Sequence, residues 1–180
     1  QLAAEGIVLC GDICNNASTF SIKKNSPVAW HSFIEVFGID PAKAGKRISE
    51  ALRIAEEARN YGISYSITPH SLYSVSVPLL RLLKELTAKN LVTSIHFMET
   101  EGEEIFLKDH TGPLFDSYIK SGLMPGPLQT PLTHSDAVLN EVTRSGNLIL
   151  VHNTFADSKT IGEVMTRGNT FWCLCPASNI

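Results

Sequence analysis

The most constraining feature of this sequence is a repeated change of period. Short apolar runs rich in β-branched residues alternate with longer stretches of helical spacing along the chain. The runs fall at residues 6–12, 29–36, 63–68, 91–97, 148–152 and 171–174. Most are nearly continuous in apolar character, as strands covered on both faces are. None leads into the Asn-Gly or Asp-Gly pair of a two-residue hairpin. Six parallel strands joined by crossovers are therefore expected, which means an α/β fold, either doubly wound or a (β/α) barrel.

The intervening segments carry the matching helical pattern. Between residues 42 and 60, Ala44, Ile48, Ala51, Leu52, Ala55 and Ala58 recur at three- and four-residue spacing, opposite a face of charged residues. Pro41 stands near the start of this helix and Gly62 just past its end. A second helix is expected over 77–89, opened by Ser76 as N-cap, and a third over 135–144. A fourth runs from an Asp157 N-cap to Arg167, with Gly168 following. Residues 100–134 break the rhythm. Pro113, Gly122, Pro125, Gly126, Pro127 and Pro131 leave room for at most two short helices, in the kind of insertion that often carries function. The acidic group Glu101, Glu103 and Glu104 reads as the solvated first turn of a helix.

Composition narrows the class of protein. A chain of 180 residues, 43% hydrophobic and 18% charged, is expected to form one ordered domain over residues 1–180. A net charge of −3 gives no electrostatic reason to expect nucleic acid or an anionic membrane as a partner. No apolar stretch reaches the roughly 20 residues that span a bilayer, and the expectation is a cytoplasmic protein. Cys10, Cys14, Cys173 and Cys175 match neither zinc-ribbon nor Cys-x-x-Cys spacing and read as buried free thiols in a reducing compartment.

In parallel α/β folds chemistry sits at the carboxyl ends of the strands. Asp12, Glu35, His70, His96, Glu99, His152 and Asn179 all fall at or just past those ends, and so are expected to converge on one site. Imidazoles closing the buried runs at His96 and His152 suit a divalent metal or the water beside it. Glu99, three residues after His96, is placed to move a proton.

Four ordered segments carry a resemblance. They are Thr68-Pro69-His70-Ser71-Leu72-Tyr73-Ser74-Val75-Ser76, Ser94-Ile95-His96-Phe97-Met98-Glu99-Thr100, Leu150-Val151-His152-Asn153 and Cys175-Pro176-Ala177-Ser178-Asn179. Together they resemble the motifs of the amidohydrolase superfamily, in its aminohydrolase and chlorohydrolase branch of guanine, cytosine and S-adenosylhomocysteine deaminases and triazine hydrolases. The resemblance spans nearly the whole chain and implies an incomplete (β/α)8 TIM barrel, with strands two to seven present and strands one and eight absent. It implies hydrolytic deamination of an aminated nitrogen heterocycle by a metal-bound hydroxide, the metal being zinc or iron.

By the same resemblance His96 is the fifth-strand metal ligand and Glu99 the acid/base that protonates the ring and the departing ammonia. His152 lies beside the metal and its water, and is counted with His96 as a metal residue. His70 contacts substrate, with Glu35 and Asn179 as further candidates for the pocket wall. The family's Pro-His-Ala-Pro-Tyr stands here as Pro-His-Ser-Leu-Tyr, which keeps His70 and Tyr73 and changes what lies between them. Its first-strand His-x-His pair and eighth-strand Asp have no counterpart among these residues, so the remaining ligands are expected outside this chain and the chain alone is expected to be inert.

Other polar and aromatic residues read more plainly. His31 is expected to be a hydrogen-bonded structural residue, and His110 and His134 loop residues. Trp30, Trp172, Phe97 and Phe171 are expected in the core. Glu35 divides evenly between substrate contact and a structural ion pair. Alternatives to the deaminase reading are a dechlorinase of the same family, a non-enzymatic binding fragment without metal, and a doubly wound nucleotide-binding domain. The last is disfavoured because no Gly-x-Gly-x-x-Gly or P-loop follows any strand. A barrel lacking its first and last strands would expose two apolar sheet edges, so self-association is expected.

Overall fold

The structure is a computed structural model and describes residues 1–123, 136, 138, 140–142 and 146–179. Six strands are present, close to the expected positions: β1 (Leu9–Cys14), β2 (Ala29–Val36), β3 (Ser64–Pro69), β4 (Val92–Phe97), β5 (Asn147–His152) and β6 (Thr170–Cys173). Every pairing is parallel. The helices are α1 (Phe20–Lys24), α2 (Ala44–Tyr61), α3 (Val77–Thr87), α4 (Glu101–Asp109), α5 (Gly112–Lys120) and α6 (Ser158–Met165). None of the described helices is long and apolar enough to cross a membrane. The helix expected over 135–144 and the loop histidine His134 fall largely or wholly outside the described residues.

The strands form two three-stranded sheets, β1-β2-β3 and β4-β5-β6, rather than one continuous sheet. The ladder fails between β3 and β4 for a local reason. Pro69, the last residue of β3, has no N–H to offer a neighbour. The carbonyl of Ile67 is taken by the side chain of Asn90, whose Nδ2 donates to it at 2.9 Å and to Thr93 Oγ1 at 3.1 Å. Among the described residues the backbone hydrogen bond between the two sheets lies at the carboxyl end, where His96 N donates to His70 O at 2.9 Å. After β6 the described residues 174–179 form a turn.

One apolar cluster holds the helices on the sheets. Ile34, Val36, Ile67, Ile95, Phe97, Leu148 and Leu150 from the strands pack with Ala51, Ile54, Ala55 and Ala58 of α2 and Leu79, Leu80 and Leu83 of α3. Alternate strand residues face the other way, and on this second face β3 is polar: Ser64 Oγ and Ser66 Oγ lie 2.8 and 2.9 Å from the two ring nitrogens of His31, which fills the structural role expected of it.

Several helix ends follow the sequence signals. Asp157 accepts from Thr160 N at 2.7 Å, and Gly62 and Gly168 adopt φ of +70° and +68° after their helices. Four readings need correction. Ser76 occupies the N-cap position of α3, but its hydroxyl is buried without a hydrogen bond. Glu103, expected to be solvated with Glu101 and Glu104, is 1% exposed; its Oε1 accepts from Glu99 N (2.9 Å) and Thr100 N (3.1 Å). Of the four cysteines, all free, only Cys14 is buried, and Phe171 is exposed rather than core.

Candidate active site

Three histidines stand in a row across the carboxyl ends of β3, β4 and β5. The rings of His70 and His96 have centroids 4.9 Å apart, and those of His96 and His152 are stacked at 5.4 Å. The backbone that delivers them is unusual. Met98, His152 and Asn153 adopt φ of +48°, +78° and +61°, a region that non-glycine residues occupy only when the surroundings enforce it. The enforcing bonds are Asn153 N to Phe97 O (2.9 Å), Phe155 N to Met98 O (3.0 Å) and Asn153 Nδ2 to Leu150 O (2.8 Å). Strain at both strand ends thus turns Glu99 and His152 toward each other.

The hydrogen bonds fix what His96 and His152 offer. His96 Nδ1 lies 3.0 Å from the carbonyl of His70, which can only accept, so Nδ1 carries the proton and Nε2 presents a lone pair. Glu35 Oε1 sits 3.2 Å from the same Nδ1 but is not aligned with its N–H, and this buried oxygen has no hydrogen-bond partner among the described residues. The Glu35 carboxylate is the largest influence on the His96 imidazole and holds its pKa above the ordinary value, against the burial that lowers it. His152 Nδ1 donates to Asn179 Oδ1 at 3.1 Å, and its Nε2 faces Glu99 Oε1 at 3.4 Å.

His70 is held differently. Its Nδ1 lies 2.7 Å from Ser74 Oγ and 3.1 Å from Ser71 Oγ, and Phe37 and Tyr73 meet its ring edge to face. Burial pushes the pKa of His70 down and that of Tyr73 up. Phe37 and Ser74 also line an adjoining open pocket of about 290 Å³, whose lining includes Arg47 and Tyr118. Burial pushes the Tyr118 phenol up to about 12.

Glu35, His70, His96, Glu99, His152 and Asn179 are thus brought together at one end of the sheets. Asp12 is not. Its partner across the ladder is Ser32, and both turn toward Lys23, whose Nζ lies 2.6 Å from Asp12 Oδ2 and 2.7 Å from Ser32 Oγ. The strand runs two residues past Asp12, so polarity there answers a buried lysine rather than a site. Ser71, Ser74 and Glu103 were not singled out for the site by the sequence reading. The first two lay inside the quoted His70 motif, and their placement within hydrogen-bond reach of that ring was the missing signal.

The donor set suits a divalent cation. One potential donor atom each of Glu35, His70 and His96 lies within 4.8 Å of the others, and the Oε1 of Glu35 is buried without a hydrogen-bond partner among the described residues. His96 belongs both to this group and to the pair with His152 expected from the sequence. His152 presents its Nε2 to the Glu99 carboxylate at 3.4 Å.

No family model matches this chain, and no curated protein matches it in sequence. Among solved structures it is similar to aminofutalosine deaminase from Helicobacter pylori, with a TM-score of 0.79 at 20% identity over 97% of this chain and 44% of that one. The same enzyme in complex with methylthio-coformycin matches equally well, over 43% of its length. Guanine deaminase from C. acetobutylicum, with guanine bound in its active site, matches with a TM-score of 0.68 at 15% identity, over 99% of this chain and 42% of that one. At these identities the likeness establishes the fold. This chain spans less than half the length of the structures it matches.

Proposed function

We propose that this chain is part of a (β/α)8 barrel of the amidohydrolase superfamily, and that the protein it builds is a metal-dependent hydrolase that deaminates a nitrogen heterocycle. The observation that carries the reading is the row His70, His96 and His152, flanked by Glu35 and Glu99, at the ends of consecutive parallel strands. It is supported by the fold shared with two deaminases, one of which holds guanine and the other methylthio-coformycin.

His96, through its Nε2 lone pair, would hold a zinc or iron ion together with ligands from outside the chain, and His152, whose ring stacks on that of His96, would stand beside it as a further metal residue. When bound, such an ion supplies the Lewis acidity that makes water a nucleophile near neutral pH. Glu99 Oε1 takes one proton from the attacking water and gives it to the ring nitrogen, then takes the hydroxyl proton of the resulting tetrahedral carbon and gives it to the amino group, which leaves as ammonia as the C–N bond breaks. His152 Nε2, 3.4 Å from that carboxylate, shares the proton and keeps Glu99 aimed inward, while Asn179 fixes the imidazole from behind. His70 contacts the heterocycle, and the cavity beside Phe37 and Ser74 receives the substituent it bears.

These 180 residues contain no His-x-His pair, so we infer that they are inert by themselves. The test is metal analysis and a deaminase assay, over purine and pyrimidine amines, of the full-length protein beside this chain. Bound zinc or iron with ammonia release in the full-length protein is the expected result. Turnover by the short chain, or a metal-free and inactive full-length protein, would refute the respective halves of the reading.

A further inference from the structure

We propose that Ser71 and Ser74 are positioning residues that hold His70 as the tautomer protonated on Nε2, so that this ring gives the site an N–H donor and not a lone pair. The inference rests on the functional reading above for its consequence, but its geometry is independent of it.

The hydroxyl hydrogens around His70 lie in a buried space and can be assigned one by one. Ser71 is completely buried and Ser74 nearly so, leaving little room for water to serve either hydroxyl. The Ser71 hydroxyl donates to Ser74 Oγ at 2.7 Å. The Ser74 hydroxyl then has two acceptors within reach, His70 Nδ1 at 2.7 Å and Ser71 O at 3.2 Å. The shorter contact takes the proton, and the chain Ser71 to Ser74 to His70 Nδ1 is polarised in one direction along its length. Were Nδ1 itself protonated, the Ser74 hydroxyl would fall back on the 3.2 Å contact, and the ring N–H would either share Ser74 Oγ with the Ser71 hydroxyl, both at 2.7 Å, or turn to the longer 3.1 Å contact with Ser71 Oγ.

This sorts the two central imidazoles into different tasks. His96 gives its Nδ1 proton to His70 O and keeps a lone pair on Nε2 for an ion. His70, with Nδ1 capped by hydroxyls, ligates no ion in this tautomer; it selects a heterocycle that offers an acceptor, a bare ring nitrogen or an exocyclic oxygen. The second hydroxyl, Ser71, stands at the position where the resembling family has Ala, so the reinforced cap is a feature of this sequence.

The decisive measurement is the 15N spectrum of the histidine rings in the full-length protein, at mildly alkaline pH, with and without added Zn²⁺. Expected is a His70 ring protonated on Nε2 with Nδ1 in the hydrogen-bonded acceptor range, unchanged by Zn²⁺, while His96 Nε2 moves as a directly bound nitrogen. Ser74→Ala should convert His70 to a tautomer mixture, Ser71→Ala should do so in part, and Ser74→Thr should restore the single form. The same series should lower kcat/KM by about tenfold for Ser74→Ala, the loss of one buried hydrogen bond, with recovery in Ser74→Thr. A wild-type His70 protonated on Nδ1, or one whose Nε2 binds Zn²⁺, overturns the proposal even if deaminase activity is found. Absence of deaminase activity with the expected tautomer pattern refutes only the function.

Discussion

The carboxylate of Glu103 is the support on which the catalytic assignment of Glu99 depends, and its replacement gives a sharp test. Its Oε1 alone accepts both the Glu99 and Thr100 amides, at 2.9 and 3.1 Å, in a position 1% exposed. Glu103→Ala removes two hydrogen bonds to a charged acceptor; at about 1.5 kcal/mol each, the low end for such bonds, the loss is about 3 kcal/mol. Glu103→Gln retains an oxygen at the same place and should cost about 1 kcal/mol. With a urea slope of about 2 kcal/mol/M, the unfolding midpoint should fall by about 1.5 M for Ala and about 0.5 M for Gln. In the full-length protein, Ala should also lower kcat far more than it raises KM, because Glu99 loses its anchor while the substrate pocket is untouched. Equal midpoints for the Ala and Gln variants would show that the two amide bonds are not what Glu103 contributes.

Other consequences follow from groups away from the site. Asp12→Ala leaves the Lys23 ammonium buried with only Ser32 as a polar partner and should cost about 3 kcal/mol, tempered by the partial exposure of Asp12. Adding Lys23→Met to Asp12→Ala should recover at least half of that in urea unfolding, and a double variant no more stable than the single one would exclude the ion pair as the cause. Burial lowers the pKa of His31 in the folded state below the 6.5 of an ordinary histidine, so the unfolded chain takes up this proton first as pH falls. Its contribution to stability is therefore complete above 6.5 and declines as pH drops from there toward the lowered folded value. His31→Gln should flatten that part of the stability profile, and an unchanged slope would refute the assignment. Finally, Val8, Leu9, Phe171 and Leu174 are exposed on and beside the outer strands β1 and β6, so the 180-residue chain should self-associate. A single monomer mass by light scattering at micromolar concentration would count against this.

Much of this architecture is legible without coordinates. Five of the six strands lie within two residues of their expected bounds, because near-continuous apolar runs punctuated by helical spacing admit few other readings. β1 is the exception. Its run begins at Gly6, which caps a turn over Leu2–Glu5 three residues before the strand, and its pairing with β2 extends to Cys14, so Asp12 is an internal residue on the helix-facing side and not a strand end. A polar residue in an apolar run shows that a partner is needed; only the register says on which face it waits.

The sequence by itself determined the class of the fold, the order of its elements and the set of polar groups at the strand ends, since these follow from period and composition. The tertiary structure decided how those groups are paired and aimed. It placed Asn90 and Pro69 so that the sheet parts between β3 and β4, turned Glu103 inward beneath Glu99, and brought two serine hydroxyls onto His70. The reason is physical. Hydrophobic periodicity acts over many residues and survives in one dimension, whereas a hydrogen bond depends on a fraction of an ångström and on an angle between groups far apart in the chain.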